Sequence, residues 1–173
     1  MSKIRRLRYG LVGMFCLVLM GCTGIPEGIE PVTDFDQERY LGTWYEIARL
    51  DHSFERGLSE VTATYRANPD GSIAVLSRGF DQEEARWREA EGVARFVDSS
   101  TVAHLKVSFF GPFYGSYIVF ELGENYEHAF VSGFNREYLW LLSRSPQVSD
   151  TLRNEFLETI TKLGFAPDDL VWL

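Results

Sequence analysis

The sequence predicts an all-β fold, a sandwich or a barrel of eight short strands, followed by one helix. After residue 42, runs rich in Val, Ile, Thr, Tyr and Phe alternate with turn residues. No strand–helix–strand alternation and no internal repeat is visible, which argues against a parallel sheet. The chain has 173 residues, of which 45% are hydrophobic and 24% charged, as expected for one globular domain.

Three successive features mark residues 1–21 as a signal peptide. A basic start, Lys3 to Arg8, precedes an apolar run over 9–20 that is too short to cross a hydrocarbon core about 30 Å thick. The following Leu-Met-Gly-Cys sequence at 19–22 resembles the lipobox of bacterial lipoproteins. The resemblance implies cleavage before Cys22 and lipidation of that cysteine. The alternative is an ordinary signal peptide with a cysteine at this place by chance.

A lipidated Cys22 would hold the protein on a membrane, because two or more acyl chains give a stable anchor at roughly 0.8 kcal/mol per buried methylene. Thr23, and not Asp, follows the cysteine. In lipoproteins this points to the outer membrane, so we expect a protein anchored there with its domain in the periplasm. Residues 22–33 contain two prolines and two glycines, which predicts a lipidated N-terminus and a flexible spacer before a domain at 34–173.

The mature chain would be strongly acidic. The formal charge is −8, and removal of residues 1–21, which carry four basic and no acidic side chains, leaves −12. Nucleic-acid phosphates repel such a chain, so we expect no nucleic acid as a partner. Apart from Cys22, the mature chain has no cysteine. We expect neither a metal site nor a cofactor, because no metal-ligand spacing connects the three histidines, His52, His104 and His128.

The domain begins with a short helical turn at 36–40 and continues with strands separated by turn signals. Asn-Pro-Asp-Gly at 68–71 separates the second strand from the third, and Gly-Pro at 111–112 separates the fifth from the sixth. The predicted strands lie near 43–51, 59–67, 72–80, 86–96, 102–110, 114–121, 126–134 and 138–143.

One helix is predicted after the last strand. Ser149 or Asp150 can cap its start, and Gly164 can end it. We expect its apolar stripe to pack on the outside of the sheet, and residues 166–173 to continue as an extended segment. The stripe consists of Leu152, Phe156, Ile160 and Leu163.

Alternation along the strands assigns side chains to two faces, and one face carries many small residues. Eight strands enclose just enough room for side chains or for one small ligand, and small inner residues favour the ligand. The alternative is a solid barrel filled by Tyr and Trp from facing strands. The small positions are Ala63, Ser77, Gly79, Ala90, Gly92 and Ala94.

Residues 34–173 resemble the lipocalins, and within them the bacterial outer-membrane lipoproteins. The resemblance implies an eight-stranded antiparallel up-and-down barrel, open at one end, with the C-terminal helix packed outside. It further implies that Trp44 closes the other end under Arg144, so that Gly42, Trp44 and Arg144 are structural signature residues. The matching stretches are YLGTWYEIAR at 40–49, FERG at 54–57, VTATY at 61–65, LKVSFFGPFY at 105–114 and YLWLLSRSP at 138–146.

This resemblance implies binding, storage or transport of small hydrophobic ligands, namely fatty acids and lysophospholipids, in the cell envelope. An apolar interior favours them by about 25 cal/mol per Å² of buried ligand surface. Arg49, Arg88 and Tyr114 are candidates for holding a polar headgroup near the mouth, whereas Glu46, if it points inward, would be a buried acid. The predicted cavity lining is Ala63, Val75, Ser77, Ala90, Val107, Phe109, Ser116, Ile118, Val131, Tyr138 and Trp140.

Two other functions stay open. A lipocalin-fold enzyme acting on a lipid is one, but the chain has no G-x-S-x-G motif and no serine with a recognisable base, so we predict no catalytic residue. A ligand-independent interaction module, in the form of a homodimer, is the other. Its surface would be formed by the aromatic side chains of Phe110, Phe113 and Tyr117.

Overall fold

The computed structural model describes residues 23–173, so the predicted signal peptide and Cys22 lie outside the described residues. Within 23–173, no helix is long and apolar enough to cross a membrane. The elements in order are α1 (Gln37–Tyr40), β1 (Gly42–Leu50), β2 (Leu58–Ala67), β3 (Ile73–Asp81), β4 (Arg86–Phe96), β5 (His104–Phe110), β6 (Phe113–Leu122), β7 (His128–Ser132), β8 (Leu139–Ser143), α2 (Asp150–Lys162), a 3₁₀ turn (Pro167–Asp169) and β9 (Leu170–Trp172).

Strands β1 to β8 form a closed antiparallel barrel with up-and-down order, which confirms the predicted fold. Each strand from β2 to β8 pairs with its neighbours in sequence, and β1 closes the ring by pairing with both β2 and β8. The extended C-terminal segment adds β9, which pairs with β1 over Ala48–Leu50, beyond the point where the β1–β2 ladder ends at Tyr45. The barrel therefore has one extra strand on its outside.

Two apolar clusters lie on opposite sides of the barrel wall, and β8 separates them. Trp140 and Leu142 point into the barrel, whereas Leu139 and Leu141 point to the outside, where α2 covers them. This arrangement follows from the period-2 alternation of a strand that is apolar on both faces.

Helix α2 packs against the outside of the barrel as predicted. The Ser149 hydroxyl caps its start by accepting a hydrogen bond from the Leu152 amide at 3.2 Å. Phe156 and Ile160 are fully buried in the outer apolar cluster. The positive φ of Gly164, +79°, lets the chain turn away after the last helical turn.

The closed end of the barrel is sealed by Trp44 and Arg144. The indole is fully buried, and its Nε1 donates to the Tyr40 carbonyl at 2.9 Å. The Arg144 guanidinium lies 4.0 Å above the indole ring. Gly42, at φ +97°, permits this approach, because a Cβ there would lie 3.3 Å from Arg144 Nη1. The guanidinium also donates to the carbonyls of Thr43, Arg39, Tyr40 and Leu41.

The segment predicted to be a flexible spacer lies against the barrel over residues 23–33. The Val32 amide donates to the Val119 carbonyl at 2.9 Å, and the Val32 carbonyl accepts from Ala103 at 2.9 Å. Ile29 is buried in the outer apolar cluster, and the Gly24 carbonyl accepts a hydrogen bond from Ser116. These hydrogen bonds and the burial of the Ile29 side chain hold the segment against the barrel surface.

Replacing Arg144 with Ala should lower the free energy of unfolding by about 2–3 kcal/mol, because several carbonyls lose a charged donor and the indole loses its cation. Urea denaturation measures the change. Arg66→Ala, which removes an exposed arginine of β2, is the control and should change stability by less than about 0.5 kcal/mol. Equal stability of the two variants would contradict the assigned role of Arg144.

Candidate functional site

The barrel is hollow. A cavity of about 250 Å³ lies inside it, and a second space of about 440 Å³, here called the mouth recess, lies at the open end. The cavity and the mouth recess share one wall and form a single cup. The shared wall consists of Phe54, Glu55, Ser77 and Phe109. The alternative of a solid barrel is therefore wrong.

The cavity wall is mainly apolar and aromatic. The structure brings eight of the eleven predicted residues to the cavity wall: Ala63, Val75, Ser77, Val107, Phe109, Ser116, Tyr138 and Trp140. The wall also contains residues that the prediction did not name: Glu46, Phe54, Glu55, Tyr65, Gly115, Tyr117, Gly133, Phe134 and Leu142.

Two further predicted lining residues lie elsewhere on the inner face. Ala90 lines the mouth recess and is exposed there. Val131 points inward, but it is completely buried in the inner apolar cluster and does not reach the cavity. Both side chains are on the predicted face of their strands. Whether they reach the cavity depends on which part of the barrel interior is filled by packed side chains.

On β6 the prediction was wrong for Ile118, which lies in the outer apolar cluster under α2. Ser116 borders the cavity as predicted, but its hydroxyl bonds the Gly24 carbonyl at 2.8 Å. Tyr114 is also on the outer face, with Lys106 Nζ 5.4 Å from its ring centre, and so is not a headgroup contact at the mouth. Tyr117, predicted as part of an exposed partner surface, instead lines the cavity.

Two of the small inner residues make room for the protein's own side chains. A Cβ on Gly92 would lie 2.8 Å from the Phe109 ring. A Cβ on Gly79 would lie 3.1 Å from both Leu58 and Val61, although Gly79 also borders the mouth recess. Gly92 therefore does not indicate space for a ligand.

Neither predicted headgroup arginine offers a free guanidinium to the inner cavity. Arg49 is buried, with Nη1 2.7 Å from Glu46 Oε1 and Nη2 donating to the Glu55 carbonyl at 2.8 Å. Arg88 is half-exposed at the mouth recess. Its guanidinium is paired with Asp81 at 2.9 Å and with Glu84 at 3.0 Å.

A backbone irregularity explains the Glu46–Arg49 pair. Residues three apart on a regular strand face opposite sides, but the β1–β8 ladder shifts register between Glu46 and Ala48. As a result Glu46 pairs opposite Leu142 and Arg49 opposite Trp140, both on the inward side. The shift turns both charged side chains into the barrel, where they meet.

Glu46 and Glu55 supply the charged part of the cavity wall. Trp140 Nε1 donates to Glu55 Oε2 at 3.1 Å, and His52 Nε2 lies 2.9 Å from the same oxygen. The pKa of Glu46 is raised from 4.5 to about 8, chiefly by burial and next by the charge of Glu55, while Arg49 opposes the shift.

The floor of the cavity is a chain of three phenols. The Tyr117 hydroxyl bonds the Tyr40 hydroxyl at 2.7 Å and the Tyr65 hydroxyl at 2.9 Å. Burial raises the pKa of all three side chains above the ordinary value, so the floor is neutral. Among residues 23–173, no group of His, Cys, Asp and Glu is arranged to hold a metal ion.

Comparison with known proteins decides the family. A model of the lipocalin-like domain matches residues 35–173. The chain belongs to the lipocalin family. Outer membrane lipoprotein Blc of Vibrio cholerae is 58% identical to this lipocalin over 162 residues, which cover 92% of this chain and 95% of the relative. The protein of the same name in Escherichia coli K12 is 48% identical, with 92% and 90% covered.

Solved structures show the same fold at low sequence identity. Insecticyanin from Manduca sexta superposes with a TM-score of 0.68 at 19% identity, covering 86% of this chain and 85% of that one. Together with the hollow barrel, membership of the lipocalin family supports binding of small hydrophobic ligands in general.

The raised pKa of Glu46 predicts how stability depends on pH. The unfolded chain releases the Glu46 proton near pH 4.5 and the folded chain near pH 8. Stability should therefore fall as pH rises through this window. Glu46→Gln removes the titrating group, so its stability should fall less between pH 5 and pH 8.

Thermal unfolding at several pH values measures the difference between the wild type and Glu46→Gln. Glu91→Gln, which changes an exposed acid of β4, is the control and should follow the wild type. If Glu46→Gln has the wild-type pH dependence, the carboxyl is not held protonated by burial.

Proposed function

We propose that this lipocalin binds fatty acids or lysophospholipids in its cup and stores or carries them in the cell envelope. The observation that supports this most strongly is the vacant apolar cavity, closed at one end by Trp44 and Arg144 and open at the other. A cup of this form accepts an alkyl chain end-on and leaves the polar end of the lipid near the mouth.

The energy of burial is sufficient for such a ligand. At about 0.8 kcal/mol per methylene, a chain of about 16 carbons gains on the order of 12 kcal/mol on complete burial. Association costs of at least about 4 kcal/mol reduce this. The remainder corresponds to binding near the micromolar range.

The proposed lipid anchor on Cys22 would place the cup beside its ligands. Thr23 follows the anchor directly, and the next residue, Gly24, is held against β6 by the Ser116 hydroxyl. The tether would therefore be short. The names of the Vibrio and Escherichia relatives, both outer membrane lipoproteins, support an outer-membrane location, where we place the barrel in the periplasm as part of the proposal.

A second candidate function is a partner surface next to the mouth. Phe110 and Phe113, which flank the turn between β5 and β6, are 78% and 73% exposed. Exposed aromatic side chains of this size favour contact with another apolar surface, such as a second copy of the chain. A dimer that forms without lipid and takes up none in sedimentation experiments would favour this function over ligand binding.

Filling the cavity should abolish lipid uptake. Val107 lines the cavity wall on β5, so Val107→Trp should weaken binding of a fluorescent fatty acid at least tenfold by occupying its space. The control is Val93→Trp on β4, where the side chain lies on the outer face opposite Ser108. Titration of delipidated protein measures both affinities, and equal binding by the two variants would contradict an internal site.

Removing the lipidation site should remove the protein from the outer membrane. Cys22→Ser eliminates the thiol that would carry the diacylglyceryl group, and with it the cleavage site, so the chain should be lost from the outer-membrane fraction. Separation of inner and outer membranes with immunodetection measures the distribution. Thr23→Ser, which leaves the cysteine in place, is the control. A Cys22→Ser protein that stays in the outer-membrane fraction would show that the anchor lies elsewhere.

A further inference from the structure

We propose that the mouth of the cup lies on the surface of a phospholipid bilayer, with the turn at residues 110–113, here called the aromatic turn, inserted among the acyl chains. This inference rests on the proposed function, because it takes the lipid anchor on Cys22 as given. It adds the orientation of the barrel on the membrane and the route by which a lipid enters the cup.

The distribution of exposed apolar side chains is the first argument. In an up-and-down barrel the β1–β2, β3–β4, β5–β6 and β7–β8 connections lie at one end, which here is the mouth. Among residues 23–173, the exposed large apolar side chains belong to these connections, to strand ends beside them or to the segment after Cys22. They are Ile25, Phe54, Trp87, Phe110 and Phe113. An apolar cluster of this kind favours contact with another apolar surface.

The aromatic turn is the most exposed part of this cluster. Phe110 and Phe113 face each other as the last pair of the β5–β6 ladder, and both border the mouth recess. A Cβ on Gly111, between them, would have no atom within 4 Å. The turn therefore protrudes from the rim with two large rings that the rest of the chain leaves uncovered.

The course of the N-terminal segment is the second argument. The Val32 amide donates to the Val119 carbonyl, whereas the Gly24 carbonyl accepts from the Ser116 hydroxyl. Ser116 is three residues nearer than Val119 to Phe113, where β6 begins at the mouth. Followed back toward its start, the described chain thus runs along the outside of the barrel toward the mouth.

A second contact places this segment at the same end. Arg136, on the connection between β7 and β8, donates from Nη2 to the Glu27 carbonyl. Phe134 and Tyr138 on this connection line the cavity. The connection therefore belongs to the open end of the barrel, and so does the part of the segment that it holds.

The length of the tether decides which end of the barrel can meet the bilayer. Cys22 precedes Gly24 by two residues, which span at most about 7 Å. At about 3.4 Å per residue, Ser116 lies about 10 Å from the mouth end of β6 at Phe113 and about 20 Å from its other end at Leu122. A bilayer that holds acyl chains on Cys22 can therefore lie against the mouth, whereas the closed end is out of its reach.

The arginines at the rim already have acidic partners. Arg56 lies 2.7 Å from Asp51, Arg86 lies 2.6 Å from Glu84, and Arg88 is paired as described above. Since these charges are paired within the protein, the exposed aromatic rings supply the attraction to the bilayer. The contact should depend little on salt, which screens charges between exposed groups but not the burial of apolar surface.

This orientation gives a lipid a dry route into the cup. Phe110 and Phe113 border the mouth recess, and the recess shares a wall with the cavity. An alkyl chain that leaves the bilayer beside these rings passes through the recess into the cavity without exposing its methylenes to water. The membrane on which the protein is anchored is then also the source of its ligand.

Protein tethered to vesicles tests the proposal. Cys22 is the only cysteine after the predicted signal peptide, so its thiol can be coupled to maleimide-bearing phosphatidylethanolamine in vesicles of phosphatidylethanolamine and phosphatidylglycerol. Phe110→Trp places an indole in the aromatic turn and keeps it aromatic. The matched control is Glu124→Trp, an exposed position between β6 and β7 at the closed end. Phosphatidylcholine brominated on its acyl chains quenches indoles that enter the bilayer, and saturating unbrominated hexadecanoic acid keeps the brominated lipid out of the cup.

We expect the brominated lipid to quench the indole added by Phe110→Trp at least about threefold more strongly than the one added by Glu124→Trp, each measured against the unsubstituted protein. Added salt should leave this difference unchanged. Equal quenching of the two indoles, or stronger quenching of the one at the closed end, would overturn the proposal.

Sedimentation separates the bilayer from a second copy of the chain as the partner of the aromatic turn. The mature chain carrying Cys22→Ser should sediment in the same way with and without the double substitution Phe110→Ser and Phe113→Ser. A dimer that the double substitution dissociates would assign the turn to a second copy and overturn the proposal.

The proposed function is measured separately, by titrating delipidated Cys22→Ser protein with a fluorescent fatty acid in the absence of vesicles. Binding there, without selective quenching on vesicles, would overturn the orientation alone. Selective quenching on vesicles without any binding in solution would instead overturn the proposed function and leave the orientation in place.

Discussion

The cation–π contact between Arg144 and Trp44 is the interaction on which the rest of the structure depends. A barrel of eight strands needs a floor if its interior is to hold a ligand rather than to be a solid core. Here a fully buried indole closes the end of the barrel beneath the phenol floor, and the guanidinium 4.0 Å above it connects the end of β8 to the carbonyls that lead into β1. Because Trp44 and Arg144 close this end, the space between them and the mouth stays free of side chains.

The wall of that space has an unusual distribution of polarity. Most of it is apolar or aromatic, yet two carboxyl groups and a buried arginine lie on one side of it. Buried charges are costly unless they are paired. Arg49 pairs with Glu46, while the Glu55 carboxyl accepts a hydrogen bond from Trp140 Nε1 and has His52 Nε2 2.9 Å from its Oε2.

The fold could be predicted from the sequence because alternation and turn residues are strong local signals. Strand β8 is the clearest case, since Trp140 and Leu142 face inward and Leu139 and Leu141 face α2 as its pattern requires. Strand β6 could not be assigned correctly. Ile118 and Val119 are both apolar and both buried, and the β5–β6 ladder shifts register between Val107 and Phe110. In such a strand the pattern alone does not decide which face is inside.

The sequence indicated that Glu46 could be a buried acid, but its pairing with Arg49 could not be predicted, for a related reason. The register shift after Glu46 brings Arg49 to the same side of β1, and no residue type in the sequence marks that irregularity. Likewise Gly92 suggested free space, but the Phe109 ring occupies it. Pairwise contacts across the barrel, rather than the periodicity of single strands, decide the details of the site.

The position of a heavy atom at the end of a bound chain tests the central claim most directly. A crystal of the mature chain grown with a fatty acid brominated at its terminal carbon would reveal the bromine by its anomalous scattering. The account predicts a single peak inside the barrel, next to the phenols of Tyr65 and Tyr117 on the cavity floor. A peak on the outer surface, or an interior without any peak at saturating lipid, would contradict the claim that the cup receives an alkyl chain.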